Sequence, residues 1–193
     1  MKKGHIFFIS GVAGAGKGTV IMKLLEQKLE NFELALSCKT REPREGEVLW
    51  VDYNKLSTQA FQEAIDRWEF LEYNFIHNQN YYGTRYKDVI ENGIEQGKII
   101  LKEMDILALP KLIKSRPDLR EDFSYIFLDL PIEKIKERMK ARWDCTEWAD
   151  YENRIDSANK ESALKEIADF IINADQTQEQ VFSEVLEIIT KKI

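Results

Sequence analysis

Near the start of this 193-residue chain, the apolar run His5-Ile6-Phe7-Phe8-Ile9-Ser10 leads directly into Gly11-Val12-Ala13-Gly14-Ala15-Gly16-Lys17-Gly18-Thr19. An unbroken apolar run of that length fits a strand buried on both faces of a parallel sheet. Beyond the glycines, Val20, Leu24, Leu25 and Leu29 recur on one broad face, the pattern of an amphipathic helix. Glycine-rich turns also serve purely structural ends. Here the order of strand, glycines, lysine and helix predicts backbone N–H groups curled around a phosphate at a helix N-terminus. Lys17 then reaches the β- and γ-phosphates of a bound nucleotide as a point charge. Residues Gly11, Val12, Ala13, Gly14, Ala15, Gly16, Lys17, Gly18 and Thr19 are therefore the predicted ATP-binding set, with Lys17 catalytic. One position departs from the usual loop. Gly18 stands where a Ser or Thr hydroxyl ordinarily meets magnesium, and the hydroxyl comes one residue later at Thr19.

Further short apolar runs read as buried strands at Leu34 to Ser37, Ile99 to Leu101, Tyr125 to Leu130 and Phe170 to Ile172, several separated by helical patterns. Phe182, Val185, Leu186 and Ile189 mark an amphipathic closing helix. Alternating strands and helices imply an α/β fold, a mostly parallel sheet with helices on both faces, of the P-loop NTPase type. One domain is expected over 1–193. Its core is 1–36 and 93–193, an inserted substrate subdomain covers 37–92, and 143–156 is a lid or a plain surface helix.

Composition removes several classes of function. The net charge is −6 and no long Lys/Arg run occurs, so nucleic acid is excluded as a partner. Cys38, Cys145, His5 and His77 share no metal-ligand spacing, which predicts no metal site built from protein ligands alone. The amino-terminal apolar run is too short for a signal peptide or a membrane span, so a cytoplasmic protein with no membrane partner is expected.

The segment Ser37-Cys38-Lys39-Thr40-Arg41-Glu42-Pro43-Arg44-Glu45-Gly46-Glu47 precedes Asp52-Tyr53. Arg41 and Arg44, stiffened by Pro43, could present two guanidinium forks to one phosphate, and Tyr53 a phenolic donor. A solvated charged loop fits the same residues. Further on stand Phe70-Leu71-Glu72, Asn80-Tyr81-Tyr82-Gly83-Thr84, Glu103-Met104-Asp105, the segment Arg138 to Arg142, Arg154 and Glu161. In this order, over nearly the whole chain, these pieces resemble the guanylate kinase family.

That resemblance implies transfer of the ATP γ-phosphate to GMP, giving ADP and GDP, with Mg²⁺ accompanying ATP. It assigns Arg41, Arg44, Tyr53 and Tyr82 to the GMP phosphate. Ser37, Glu72, Thr84 and Asp105 go to the guanine, with Glu103 beside them, so 37–92 becomes a GMP-binding subdomain. Arg138 and Arg142, four apart on a helix and so on one face, would act on the transferring phosphates with Arg154. The implied partners are ATP and GMP, in a monomer or homodimer. A catalytically inactive binding module of the same family and a kinase for another small phosphate acceptor are the alternatives. Lys39 replaces the first threonine of the family's pair, and Leu107 and Ala108 replace its usual Gln-Gly.

Overall fold

The computed structural model describes residues 2–43, 48, 53–76, 79–142 and 148–193. Its strands are β1 (His5–Gly11), β2 (Phe32–Leu34), β3 (Ser37–Lys39), β4 (Tyr53–Lys55), β5 (Phe70–Ile76), β6 (Asn80–Arg85), β7 (Ile99–Glu103), β8 (Phe123–Asp129) and β9 (Phe170–Asn173). Its helices are α1 (Lys17–Glu26), α2 (Thr58–Asp66), α3 (Leu109–Ser115), α4 (Ile132–Arg142), α5 (Trp148–Ala163) and α6 (Gln178–Lys192). A five-stranded sheet runs in the order β2-β7-β1-β8-β9, with β2–β7 and β8–β9 parallel. A second sheet runs β4-β3-β6-β5.

The chain divides into two compact units. The first holds residues 1–6, 31–102 and 110–122. Its four-stranded sheet combines a parallel β3–β4 pair with antiparallel β3–β6 and β5–β6 pairs. Helix α2 starts on an Ser57 cap, whose hydroxyl accepts from the Ala60 N–H at 3.1 Å. Phe61 of α2 stacks on Phe70 at 4.2 Å and on Tyr81 at 5.1 Å between ring centroids. The contact covers one face of this sheet and leaves the other for polar side chains.

The second unit holds residues 7–30, 103–109 and 123–193. The apolar residues of β1 and β8 are fully buried, as their unbroken hydrophobic runs require. Phe8 packs edge-on against Phe123 at 5.4 Å. Helix α6 begins with a reciprocal capping box between Thr177 and Gln180 and ends on Lys191 and Lys192, favourable charges at a helix C-terminus. Its buried stripe is Val181, Val185 and Ile189.

Two sequence expectations are corrected. Helix α1 buries Val20, Ile21 and Leu24 but ends at Glu26, so Leu29 lies beyond it. Lys28 turns the chain out of the helix with φ 48°, a left-handed exit. The strand expected from Leu34 to Ser37 is instead a crossing between sheets. β2 closes at Leu34, the Ala35 N–H donates to Leu101 O at 2.9 Å, and β3 opens at Ser37 beside β4 and β6. The other expected strands and the closing helix are present, but β9 is not buried as expected: it ends the sheet, with Ile172 covered and Ile171 41% exposed.

Candidate active site

In the second unit, β1 delivers the glycine-rich loop to the first turn of α1. Gly11, at φ 145°, passes so close to β8 that a Cβ there would sit 2.4 Å from the Leu128 carbonyl oxygen. Gly16, at φ 92°, caps α1 in the left-handed region. Lys17, the first helical residue, curls back over the loop: Nζ donates to Gly11 O at 2.7 Å and Val12 O at 3.3 Å. Arg138 of α4 braces the loop from another side. Its guanidinium donates to Gly14 O and to Ala174 O, each at 2.9 Å.

Between these parts lies a cleft of about 600 Å³, lined by Gly14, Ala15, Gly16, Thr19, Val20, Arg138, Ala174, Gln176, Thr177, Gln178 and Val181. Its volume falls in the ordinary range for small-ligand sites. Thr19 lines it. Gly18 points to open space, where an added Cβ would meet nothing within 4 Å.

Acids surround the lysine. Glu103 Oε1 lies 3.7 Å from Lys17 Nζ. The backbone between Glu103 and Asp105 is pinned at Met104, whose N–H donates to Ile9 O and whose carbonyl accepts from the buried Tyr125 hydroxyl at 2.9 Å. Asp105 caps the 3₁₀ turn Ile106–Ala108, accepting from the Leu107 N–H at 2.9 Å. Burial pushes its carboxyl above the ordinary aspartate value, against the opposing pull of that N–H and of Lys17. On α5, Glu161 is pushed up to about 7, first by burial, then by the charge of Asp105, with Lys17 opposing and Glu103 adding.

This shift has a consequence for stability. A glutamate ordinarily titrates near 4.5, so the folded chain holds the Glu161 proton more tightly than the unfolded chain does. The stabilisation it contributes is complete below that value and is lost as pH rises through about 7. Glu161→Gln is expected to match the wild type near the low end of this window and to exceed it by about 1–2 kcal/mol above it. Urea unfolding across the window checks this; equal pH slopes in the two proteins would refute it.

The first unit carries the second set. Residues opposite one another on paired strands share a face. Ser37 pairs with Tyr53, Lys39 with Tyr82 and Thr84 with Glu72, and alternation puts Ser37 with Lys39 and Tyr82 with Thr84. Ser37, Lys39, Tyr53, Glu72, Tyr82 and Thr84 therefore stand on one face of the second sheet. Tyr81, one residue out of phase, packs on Phe61 and Phe75. The Thr84 hydroxyl donates to Glu72 Oε1 at 2.5 Å. Lys39 Nζ and the Arg41 guanidinium lie 4.6 Å and 5.2 Å from the Tyr53 ring centroid. The Tyr53 hydroxyl is buried and has no hydrogen-bond partner among the described residues. Two cations and a buried phenol suit an anion.

Glu103 and Asp105 belong to the second unit with Lys17. Arg154 is half-buried on α5. Arg44 lies outside the described residues, as do 143–147 of the expected lid and the side chain of Arg142. From Trp148 the expected lid segment is helical. Sequence reasoning passed over two groups, Lys102 and the electrostatic position of Glu161. A lysine closing the apolar run Ile99-Ile100-Leu101 was the available signal for Lys102, which is 2 % exposed. Glu161 offered none beyond its place in the family-like segment.

Comparison with known proteins bears on the whole chain. A family model described as guanylate kinase matches residues 3–192. Guanylate kinase from Clostridioides difficile is 36% identical over 177 residues, 91% of this chain and 82% of that protein. Guanylate kinase from Mesomycoplasma hyopneumoniae is 33% identical over 100% of this chain and 98% of its own length. A crystal structure of guanylate kinase from Anaplasma phagocytophilum superposes with a TM-score of 0.76 at 23% identity, covering 100% of this chain and 87% of the other.

Proposed function

The chain belongs to the guanylate kinase family, and on that premise we propose that it transfers the γ-phosphate of MgATP to GMP. The observation that carries this reading is the sheet face shared by Ser37, Tyr53, Glu72, Tyr82 and Thr84, a polar array facing away from the aromatic packing of α2. A guanine edge offers N1–H and an exocyclic amine, both donors. An ionised carboxylate such as Glu72 only accepts, so the two match. Adenine lacks the N1 proton and would leave an acceptor unpaired. Asp105 is the second acid assigned to the base, with Glu103 beside it.

In this reading Arg41, Arg44, Tyr53 and Tyr82 hold the GMP phosphate, and Lys39 adds positive charge over the same tyrosine ring. The cleft beside Thr19 and Arg138 takes the ATP nucleoside, and the loop N–H groups take its phosphates. A GMP phosphate oxygen attacks the γ-phosphorus, and the bond to the β–γ bridging oxygen breaks, releasing ADP. Little covalent chemistry is left to the protein. Lys17, with Arg138, Arg142 and Arg154, neutralises the charge spread over the transferring group. No group of three or more His, Cys, Asp or Glu among the described residues is placed to hold a metal ion. Magnesium would enter as part of the nucleotide, held by its phosphates and by water, with Thr19 offering the loop hydroxyl.

The subdomain reading, GMP binding by 37–92 and lid action by 143–156, belongs to the same proposal. So do a cytoplasmic location, a monomer or homodimer, and ATP and GMP as the partners. No helix among the described residues is long and apolar enough to cross a membrane. The inactive-module alternative is disfavoured by the presence of Lys17, Arg41 and Arg138. A coupled assay tests the function: ADP and GDP should form in equal amounts from ATP and GMP. ADP formation independent of GMP would sink it.

A further inference from the structure

Lys102, at the end of the apolar run of β7, is 2 % exposed, and its ammonium has no use in the mechanism above. Burying an ammonium is costly, and an apolar side chain in its place would ordinarily stabilise as well or better. Its position therefore calls for a reason other than packing. Lys102 Nζ donates to Ser37 Oγ at 2.6 Å and to Ala35 O at 3.3 Å. Both acceptors lie on the crossing from β2 to β3, so the ammonium holds the stretch that starts the polar sheet face.

The bond to Ser37 also fixes which way that hydroxyl works. An ammonium has three donors and no acceptor, so Ser37 Oγ must accept from it. The single hydroxyl hydrogen of Ser37 is then left to donate elsewhere. A charge-assisted bond into the oxygen polarises the O–H and makes it a stronger donor. Ser37 is only half-buried, so its hydrogen can reach a ligand on the polar face.

We propose that Lys102 is a positioning residue for acceptor specificity: it commits the Ser37 hydroxyl to donate, so that the site selects a purine with a carbonyl oxygen at position 6. This rests on the proposed GMP reading and deepens it. Guanine and hypoxanthine carry an acceptor there. Adenine presents an amine, which is a donor, and two donors meeting head-on leave both unpaired. Glu72 reads the donor edge of the base and the Ser37–Lys102 pair reads its acceptor edge.

The test uses the whole enzyme with ATP and three acceptors: GMP, IMP and 2-aminopurine riboside 5′-monophosphate, which keeps the 2-amino group but lacks the 6-oxygen and, with it, the N1 proton. Lys102→Met, Ser37→Ala, Ser37→Thr and the Lys102→Met/Ser37→Ala double variant are compared with the wild type. Lys102→Met and Ser37→Ala are each expected to lower kcat/KM for GMP and IMP by about 10- to 100-fold, mainly through KM. The 2-aminopurine acceptor should change by less than about threefold, because the lost bond never existed for it. Ser37→Thr, which keeps the hydroxyl, should retain most of the preference for GMP. The double variant should be no worse than Ser37→Ala alone, since both lesions remove one interaction.

Equal losses for all three acceptors in Lys102→Met would reduce the lysine to a structural tie and overturn the proposal. So would an unchanged preference for GMP, or fully additive losses in the double variant. If Lys102→Met does not fold, the two Ser37 variants decide: an unchanged GMP preference in Ser37→Ala refutes the proposal. A wild type that phosphorylates none of the three acceptors strikes the GMP reading itself and takes this inference with it. Loss of selectivity in variants of an active wild type cannot be mistaken for that outcome.

Discussion

Lys17→Met is expected to fold normally and to lose about 100- to 1,000-fold in kcat/KM, the scale of removing one electrostatic stabiliser from a reacting centre. The side chain contributes little to the resting fold. Its ammonium rests on two carbonyl oxygens of its own loop, and its nearest carboxylate, Glu103, is half exposed at 54%. Glu103 stays hydrated without it, and Asp105 and Glu161, whose charged forms Lys17 favours, can take up protons instead, so circular dichroism and melting temperature should stay near wild type. In the proposed reaction the same charge would meet the β- and γ-phosphates, where negative charge redistributes as the bond breaks. Met keeps the length and the apolar stem of the side chain and deletes only the ammonium. Steady-state kinetics on the folded variant gives the answer. Turnover within about threefold of wild type would remove Lys17 from the catalytic role.

Gly11→Ala is expected to lower stability by about 3 kcal/mol or more, the joint cost of forcing φ into a disfavoured region and of overpacking. Gly11 lies at φ 145°, and an added Cβ would stand 2.4 Å from Leu128 O and 2.9 Å from Leu128 Cβ. The obstacle is β8 backbone in the buried sheet, which cannot swing aside as a side-chain tip can. For a chain of this size the loss corresponds to a fall of about 6–12 °C in melting temperature. Two neighbouring glycines serve as controls. Gly16 has φ 92° but open space around its missing Cβ, so Gly16→Ala should carry the backbone strain alone. Gly18 has neither obstacle and lies inside α1, so Gly18→Ala should be neutral or stabilising by up to about 1 kcal/mol. Calorimetry ranks the three; a Gly11 variant as stable as the Gly18 variant would mean the loop does not pass β8 as described.

The legible parts of the fold were those with dense local signals. The loop from Gly11 to Thr19 could be read because glycine, lysine and flanking periodicity all fall within one short stretch. β1, β7 and β8 could be read because buried strands are continuously apolar, and β9 by its short apolar run, of which only Ile172 is buried. The second sheet resisted reading for physical reasons. β3 and β4 are three residues each, too short for a period to show, and β3 pairs with β6 from more than 40 positions away. The crossing at Ala35 looked like strand because its residues are apolar, yet its backbone passes from one sheet to another. The Lys28 turn ended α1 before Leu29 without a glycine to announce it.

The candidate site divides in the same way. Tyr82 and Tyr81 could not be separated by composition; the β6 register separates them, with Tyr81 on the α2 side and Tyr82 on the polar face. Lys102 meets Ser37 across 65 positions of sequence, a pairing that no local pattern encodes. Glu161 owes its raised proton affinity to burial and to Asp105, both properties of the folded chain.

The most direct measurement is an internal competition: equal GMP and AMP in one tube with limiting MgATP, the diphosphates separated and counted over time. The ratio of initial rates at equal concentrations is the ratio of kcat/KM values, free of differences in enzyme preparation. The proposed guanine reading by Glu72 and the Ser37 hydroxyl predicts GDP exceeding ADP derived from AMP by about 100-fold or more, counted with label in the acceptor. Comparable labelling of both products would contradict it.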